Sequence, residues 1–124
     1  MVMVIRVDFD SEEALYLQVR NQIIMGIATS QLREGENLPS VRELAETIGI
    51  NMHTVNKAYG ILKQEGYLKV DRRSGAVVAI AVDEMKAREE MMRELQVILA
   101  KACCKGISEE EAHEMVSLIY EKYR

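Results

Sequence analysis

Apolar residues recur along this chain at two spacings, and the spacing divides it into elements. Leu15, Tyr16, Val19, Ile23 and Ile27 make one stripe at helical spacing, and Val55, Ala58, Tyr59 and Leu62 make another. Tyr67–Asp71 and Ala76–Ile80 are β-prone runs around the turn Arg72-Arg73-Ser74-Gly75, which predicts a hairpin. Further on, Met92, Leu95, Leu99 and Ala102, broadened by Met91 and Ile98, form a third helical stripe. Ala112, Met115, Val116, Ile119 and Tyr123 form a fourth. At the start, Val2, Val4, Ile5, Val7 and Phe9 favour a short strand over residues 1–9, with no partner strand identified.

Polar residues mark the ends of these elements. Asp10 or Ser11 opens the first long helix, with Glu12 and Glu13 near its positive end and the loop Arg33-Glu34-Gly35 beyond it. Ser40 with Glu43 predicts a reciprocal capping box for a helix of about two turns that stops at Gly49. Asn51 caps the next helix, which ends at Gly66. Asp83 opens the third-stripe helix, which runs to Lys105-Gly106 with Lys101 and Lys105 at its negative end. Ser108 with Glu111 predicts a second capping box.

Two short capped helices around a glycine occur in many α-rich proteins. They are also the geometry of a helix-turn-helix, whose second helix enters the DNA major groove. The hairpin that follows, with two arginines and a glycine at its tip, makes a basic wing, and the combination is far more specific than either part. LPSVRELA, then Asn51, Thr54, Val55, Ala58, Tyr59 and Leu62, then EGYL resemble the GntR family of bacterial transcription regulators. INMHTVNKAY and the short tail are most similar to its YtrA-like branch, and the resemblance covers residues 14–80 closely. It implies a homodimeric winged-helix repressor on a two-fold operator, with targets that include its own operon and neighbouring transporter genes.

The expected fold is therefore mainly α with a small β-hairpin wing. Residues 1–80 form the winged helix-turn-helix, and residues 81–124 a two-helix dimerisation hairpin. A chain of 124 residues can bury a real core, and 48% hydrophobic content with a single proline fits an ordered, helix-rich protein. No apolar run is long enough to span a membrane. A start lacking a basic leader, and two adjacent cysteines in place of a spaced framework, predict a cytoplasmic protein. Net charge is −4, yet residues 52–73 carry Lys57, Lys63, Lys69, Arg72 and Arg73 against Glu65 and Asp71, a local +3. Residues 81–124 carry seven basic and ten acidic side chains. The basic patch is what attracts phosphate, and its modest size predicts binding that depends on salt and on dimerisation.

Candidate DNA contacts follow from position. Ser40 stands at a helix N-terminus suited to phosphate, or serves only as a cap. Arg42 matches the family's DNA-facing arginine, with a surface ion pair as the alternative. Asn51, His53, Thr54, Asn56 and Lys57 occupy the first turns of the recognition helix, where Asn pairs with adenine and Lys reaches guanine or phosphate. Thr54 has the alternative of satisfying its own helix start. Arg72 and Arg73 reach phosphate or the minor groove, and Gly75 lets the wing backbone approach closely. Many family members carry arginine where Met52 and Asn56 stand here, which leaves the base code open. Met52 is expected to be partly exposed, placed either against a thymine methyl or in the core.

Met92, Leu95, Leu99, Met115 and Ile119 are the expected dimer contacts, with docking on the chain's own winged helix as the alternative. Met85, Met91, Met92 and Met115 make this surface adaptable, compatible with a small-molecule effector, although packing is the simpler role. Cys103 and Cys104 point to different helix faces. They are expected to be small buried apolar residues, with a thiol-based redox-sensing regulator as the rival reading. His53 and His113 lack companions at ligand spacing, so no metal or cofactor is expected. No nucleophile–base pair, Gly-rich phosphate loop or paired-carboxylate motif is present, and the expectation is that the protein is not an enzyme. A protein-interaction module using the winged helix without DNA is the remaining alternative.

Overall fold

The computed structural model describes residues 3–124. In chain order the elements are α1 (Leu15–Ala28), α2 (Val41–Ile48), α3 (Met52–Gln64), β1 (Leu68–Asp71), β2 (Gly75–Val78), α4 (Glu84–Cys104) and α5 (Glu109–Glu121). They divide into two compact units, with the boundary between Ala81 and Val82.

In the first unit α3 packs against α1, α2 and β1. Val19, Ile23, Val55, Ala58 and Leu62 are wholly buried, so the two predicted stripes face one another. Leu32, Leu38, Leu44 and Val78 close the core from the loops, α2 and the wing. β1 and β2 form an antiparallel pair running from Leu68 opposite Val78 to Asp71 opposite Gly75. The α1–α2 connection lies along the free edge of β2. Gly35 N–H donates to Val78 O at 2.8 Å, Leu38 N–H to Ala76 O at 2.9 Å, and Val78 N–H to Glu36 O at 2.9 Å. A loop thereby covers an edge that would otherwise present unpaired backbone groups.

The N-terminal segment departs from expectation. Residues 3–8 belong to no strand or helix, and Val2 lies outside the described residues. Burial alternates over residues 3–7, with Ile5 buried, Met3 and Val7 packed on the core and Val4 exposed, and the pattern ends at the exposed Phe9. The partner of this segment is a pair of glutamines one turn apart on α1. Gln18 accepts from Asp8 N–H at 2.8 Å and donates to Asp8 O at 3.0 Å and Glu13 O at 2.8 Å. Gln22 accepts from Arg6 N–H and donates to Arg6 O. Each carboxamide meets one residue's N–H with its oxygen and that residue's C=O with its NH2, which reproduces the pairing a neighbouring strand would give.

The start of α1 is a second correction. Helical structure begins at Leu15, with Ala14 as an N-cap that makes no side-chain bond and no acid in the first turn. Asp10 and Ser11 are engaged earlier: Asp10 N–H donates to Asp8 Oδ1 at 2.9 Å, and Glu13 N–H to Ser11 Oγ at 3.1 Å. Such local turns compete with helix for the same backbone. The other caps fall where expected, though only in part as boxes. Ser40 Oγ accepts from Glu43 N–H and Ser108 Oγ from Glu111 N–H, both at 3.1 Å. Among the described residues, neither glutamate makes the return bond.

In the second unit α4 and α5 are joined through Gly106, whose φ of 82° lies in the left-handed region. Asp83 caps α4 through Lys86 N–H, as expected. Neither helix buries a residue completely. Met92 is 60% exposed, Leu99 44% and Met115 46%, Ile119 is exposed as well, and Leu95 is half-buried. Cys103 and Cys104 are both exposed, contrary to the expected burial, because α4 buries no residue within its own unit.

Candidate nucleic-acid interface

The interface begins with a sharp turn. Gly49 ends α2 at φ 81° and ψ 37°, and Gly49 N–H and Ile50 N–H both donate to Ala45 O, at 2.8 and 3.0 Å. A non-glycine residue in this conformation costs about 1–2 kcal/mol. Asn51 then caps α3, its side chain accepting from His53 N–H at 2.7 Å. The Tyr59 hydroxyl donates to Pro39 O at 2.8 Å and so fixes α3 against the start of α2. Burial, reinforced by the nearby Glu43, holds that phenol well above its ordinary range, so it stays a neutral donor. Arg20 on α1 pairs with Glu65 at 3.3 Å and secures the far end of α3.

The predicted residues separate into groups. Arg42 is exposed and makes no salt bridge among the described residues, so the ion-pair alternative is not realised. His53 and Asn56 are exposed, Thr54 is half-buried, and Met52 is 45% exposed, in line with its expected partial exposure. Lys57 extends toward α1, its ammonium 4.0 Å from the centre of the Tyr16 ring. At an exposed site that cation–π contact is worth about 0.5–1 kcal/mol, enough to bias the side chain without fixing it. Arg72, Arg73 and Ser74 form the exposed wing tip, where Arg73 N–H donates to Asp71 Oδ1 at 2.7 Å and Asn37 donates to Ser74 O. Gly75 takes φ 72°, and nothing lies within 4 Å of where its side chain would begin.

An open groove of about 430 Å³ runs between the start of α2, α3 and the wing, lined by Ser40, Asn56, Gly60, Lys63 and Gly75. It joins three candidate contacts, Ser40, Asn56 and Gly75, with Lys63 of the basic patch and with Gly60, which the sequence does not mark. Lys63 was legible in principle, since it lies seven residues after Asn56 on the same helix face. Gly60 carries no side chain to signal a role. A helix that presents its first turns outward, a helix N-terminus and a basic hairpin, arranged around a groove, can hold a phosphodiester strand between helix and wing. Among the described residues no cluster of three or more His, Cys, Asp or Glu could hold a metal. No helix is long and apolar enough to cross a membrane.

The fold and this surface define a winged helix-turn-helix DNA-binding domain. The chain belongs to the GntR family, in its YtrA-like branch: residues 15–78 match the family described as "Bacterial regulatory proteins, gntR family". It is 30% identical over 118 residues to the HTH-type transcriptional repressor YtrA of Bacillus subtilis, covering 93% of this chain and 91% of that protein. The structure is similar to YtrA from Sulfolobus acidocaldarius, a GntR-family transcription factor, with TM-score 0.63 and 40% identity over 76% of this chain and 99% of that one. It is also similar to AraR(DBD) in complex with operator ORX1, with TM-score 0.52 and 26% identity over 60% of this chain and 94% of that one. The protein is a transcriptional regulator with a DNA-binding domain, and the interaction-module alternative is not favoured. Its relatives are regulators, a class without enzymatic activity.

Proposed function

We propose that the protein is a cytoplasmic repressor that binds a two-fold operator as a homodimer, each winged helix reading one half-site. The observation that carries this reading is the groove that gathers Ser40, Asn56, Lys63 and Gly75 beside an exposed Arg42 and an arginine-tipped wing. In it, a phosphodiester strand lies along the groove, with α3 in the major groove and Arg72 and Arg73 on phosphates or in the adjacent minor groove. Asn51 and Thr54 set the start of α3, and His53, Asn56 and Lys57 face the duplex. The names of its relatives, a repressor and an operator-bound domain, support the same assignment. Its own operon and an adjacent transporter are the proposed targets.

Dimerisation is proposed through Met92, Leu95, Leu99, Met115 and Ile119, because α4 and α5 leave Leu95 half-buried and the other four exposed. Burying a large aliphatic side chain fully contributes about 1.5–3 kcal/mol, and a two-fold contact counts each residue twice. A ligand that alters the separation of the two winged helices would alter operator affinity.

The test titrates purified protein against its own upstream DNA and a scrambled duplex at several salt concentrations, alongside Arg42→Ala. Discrimination of about a thousandfold with two protomers per site, lost in the variant, is expected. Equal affinity for both duplexes would overturn the operator assignment. Leu99→Asp should yield monomers by sedimentation and weaken operator binding at least about a hundredfold; an unchanged dimer would move the interface elsewhere.

A further inference from the structure

The first two turns of α3 contain no arginine, the usual partner of guanine, so the chemistry left on this surface decides which base it suits. Asn51 is engaged as the cap, with its side-chain oxygen accepting from His53 N–H. Thr54 is half-buried, and Lys57 is drawn to the Tyr16 ring on α1. Besides Lys57, which that contact biases without fixing, three outward side chains make no such contact among the described residues: Met52, His53 and Asn56. Met52 and Asn56 are one turn apart on a single face, Met52 is 45% exposed, and Asn56 is exposed as well. A carboxamide offers a donor and an acceptor together, which match adenine N7 and N6. A thioether side chain offers apolar contact, which matches the thymine C5-methyl. His53 adds a single-point contact that either purine N7 accepts.

We infer that α3 reads A·T pairs at the heart of each half-site, with Asn56 on adenine and Met52 on a thymine methyl. This rests on the operator-binding reading above and adds the base class. Specificity here comes from an amide and an apolar tip, while the charged groups Arg42, Lys57, Lys63 and the wing arginines serve the phosphates. A guanidinium at either position would change the selected base, because guanine presents two acceptors and no major-groove donor.

The experiment selects binding sites for the full-length protein from a random duplex library, then modifies the selected site one atom group at a time. An A·T pair should dominate one position of each half-site. Deoxyuridine in place of the contacted thymine deletes only the methyl and should weaken wild-type binding about tenfold when both half-sites are changed. It should leave Met52→Ala unaffected. 7-Deazaadenine removes the acceptor N7 and should weaken wild type at least about tenfold while leaving Asn56→Ala unaffected. Asn56→Arg should select G·C at the matched position, a gain that a merely unfolded variant cannot show. Selection of G·C by the wild type, or equal sensitivity of wild type and variants to both analogues, would overturn the inference and leave operator binding intact. Absence of any enriched sequence would overturn both.

Discussion

Gly60 is an exposed residue in the middle of α3, with ordinary helical φ and nothing within 4 Å of a side chain built upon it. Glycine in a helix interior is about 0.8–1 kcal/mol less favourable than alanine, because it surrenders more backbone freedom on folding. Gly60→Ala removes that entropy from the unfolded chain and adds a methyl that meets no other atom. The variant should therefore be more stable by about 1 kcal/mol. With a urea dependence of about 2 kcal/mol per molar, the midpoint should rise by about 0.5 M, and the thermal midpoint by about 4–5 °C. Urea titrations at two protein concentrations separate this gain from any change in assembly. Operator affinity is measured separately, because Gly60 lines the groove proposed to hold the DNA strand and the added methyl narrows it. No stabilisation, or a loss, would refute the placement of residue 60 in a regular, solvent-facing turn of α3. A large affinity loss with the expected stabilisation would instead show that DNA approaches the helix backbone at this point.

Three further outcomes follow from single contacts. Lys63→Ala should make the log–log salt dependence of operator binding shallower by about 1.8, because one phosphate contact per protomer is removed from a dimer; an unchanged slope would take Lys63 off the phosphate path. Gln18→Ala deletes three hydrogen bonds and should cost about 2–3 kcal/mol in urea unfolding, with faster exchange at the Asp8 amide; unchanged exchange would refute the glutamine clamp. Tyr59→Phe should cost about 1 kcal/mol at neutral pH through loss of the bond to Pro39 O. The wild-type phenol has a folded pKa raised above its unfolded value, so its contribution is complete below about pH 10 and fades as pH climbs beyond that, where the unfolded chain releases its proton first. Unfolding measured between pH 9 and 11 should therefore show wild type losing stability more steeply than Tyr59→Phe, and parallel curves would refute the assignment.

Much of this protein was legible along the chain because its determinants are local. Ser40, Asn51, Asp83 and Ser108 cap the helices they precede, Gly49 turns where a left-handed residue is required, and Arg72-Arg73-Ser74-Gly75 closes a hairpin, all through contacts spanning a few residues. Apolar spacing likewise fixed which faces of α1 and α3 meet. The N-terminal segment forms no strand although its residue types favour one, because its hydrogen-bond partners are Gln18 and Gln22, polar residues that no periodicity assigns to a backbone ten or more positions away. The late start of α1 has the same origin, since Gln18 also holds Glu13 O and the turn before the helix consumes Asp10 and Ser11. At the DNA-facing surface the residue types were readable, but their company was not. Only the packing of α2, α3 and the wing brings Ser40, Asn56, Lys63 and Gly75 to one groove, and only the apposition of α1 and α3 sets Lys57 over Tyr16. Local chemistry determined the elements, and long-range packing decided which exposed groups share a surface, because proximity across elements depends on the crossing of helices and not on distance along the chain.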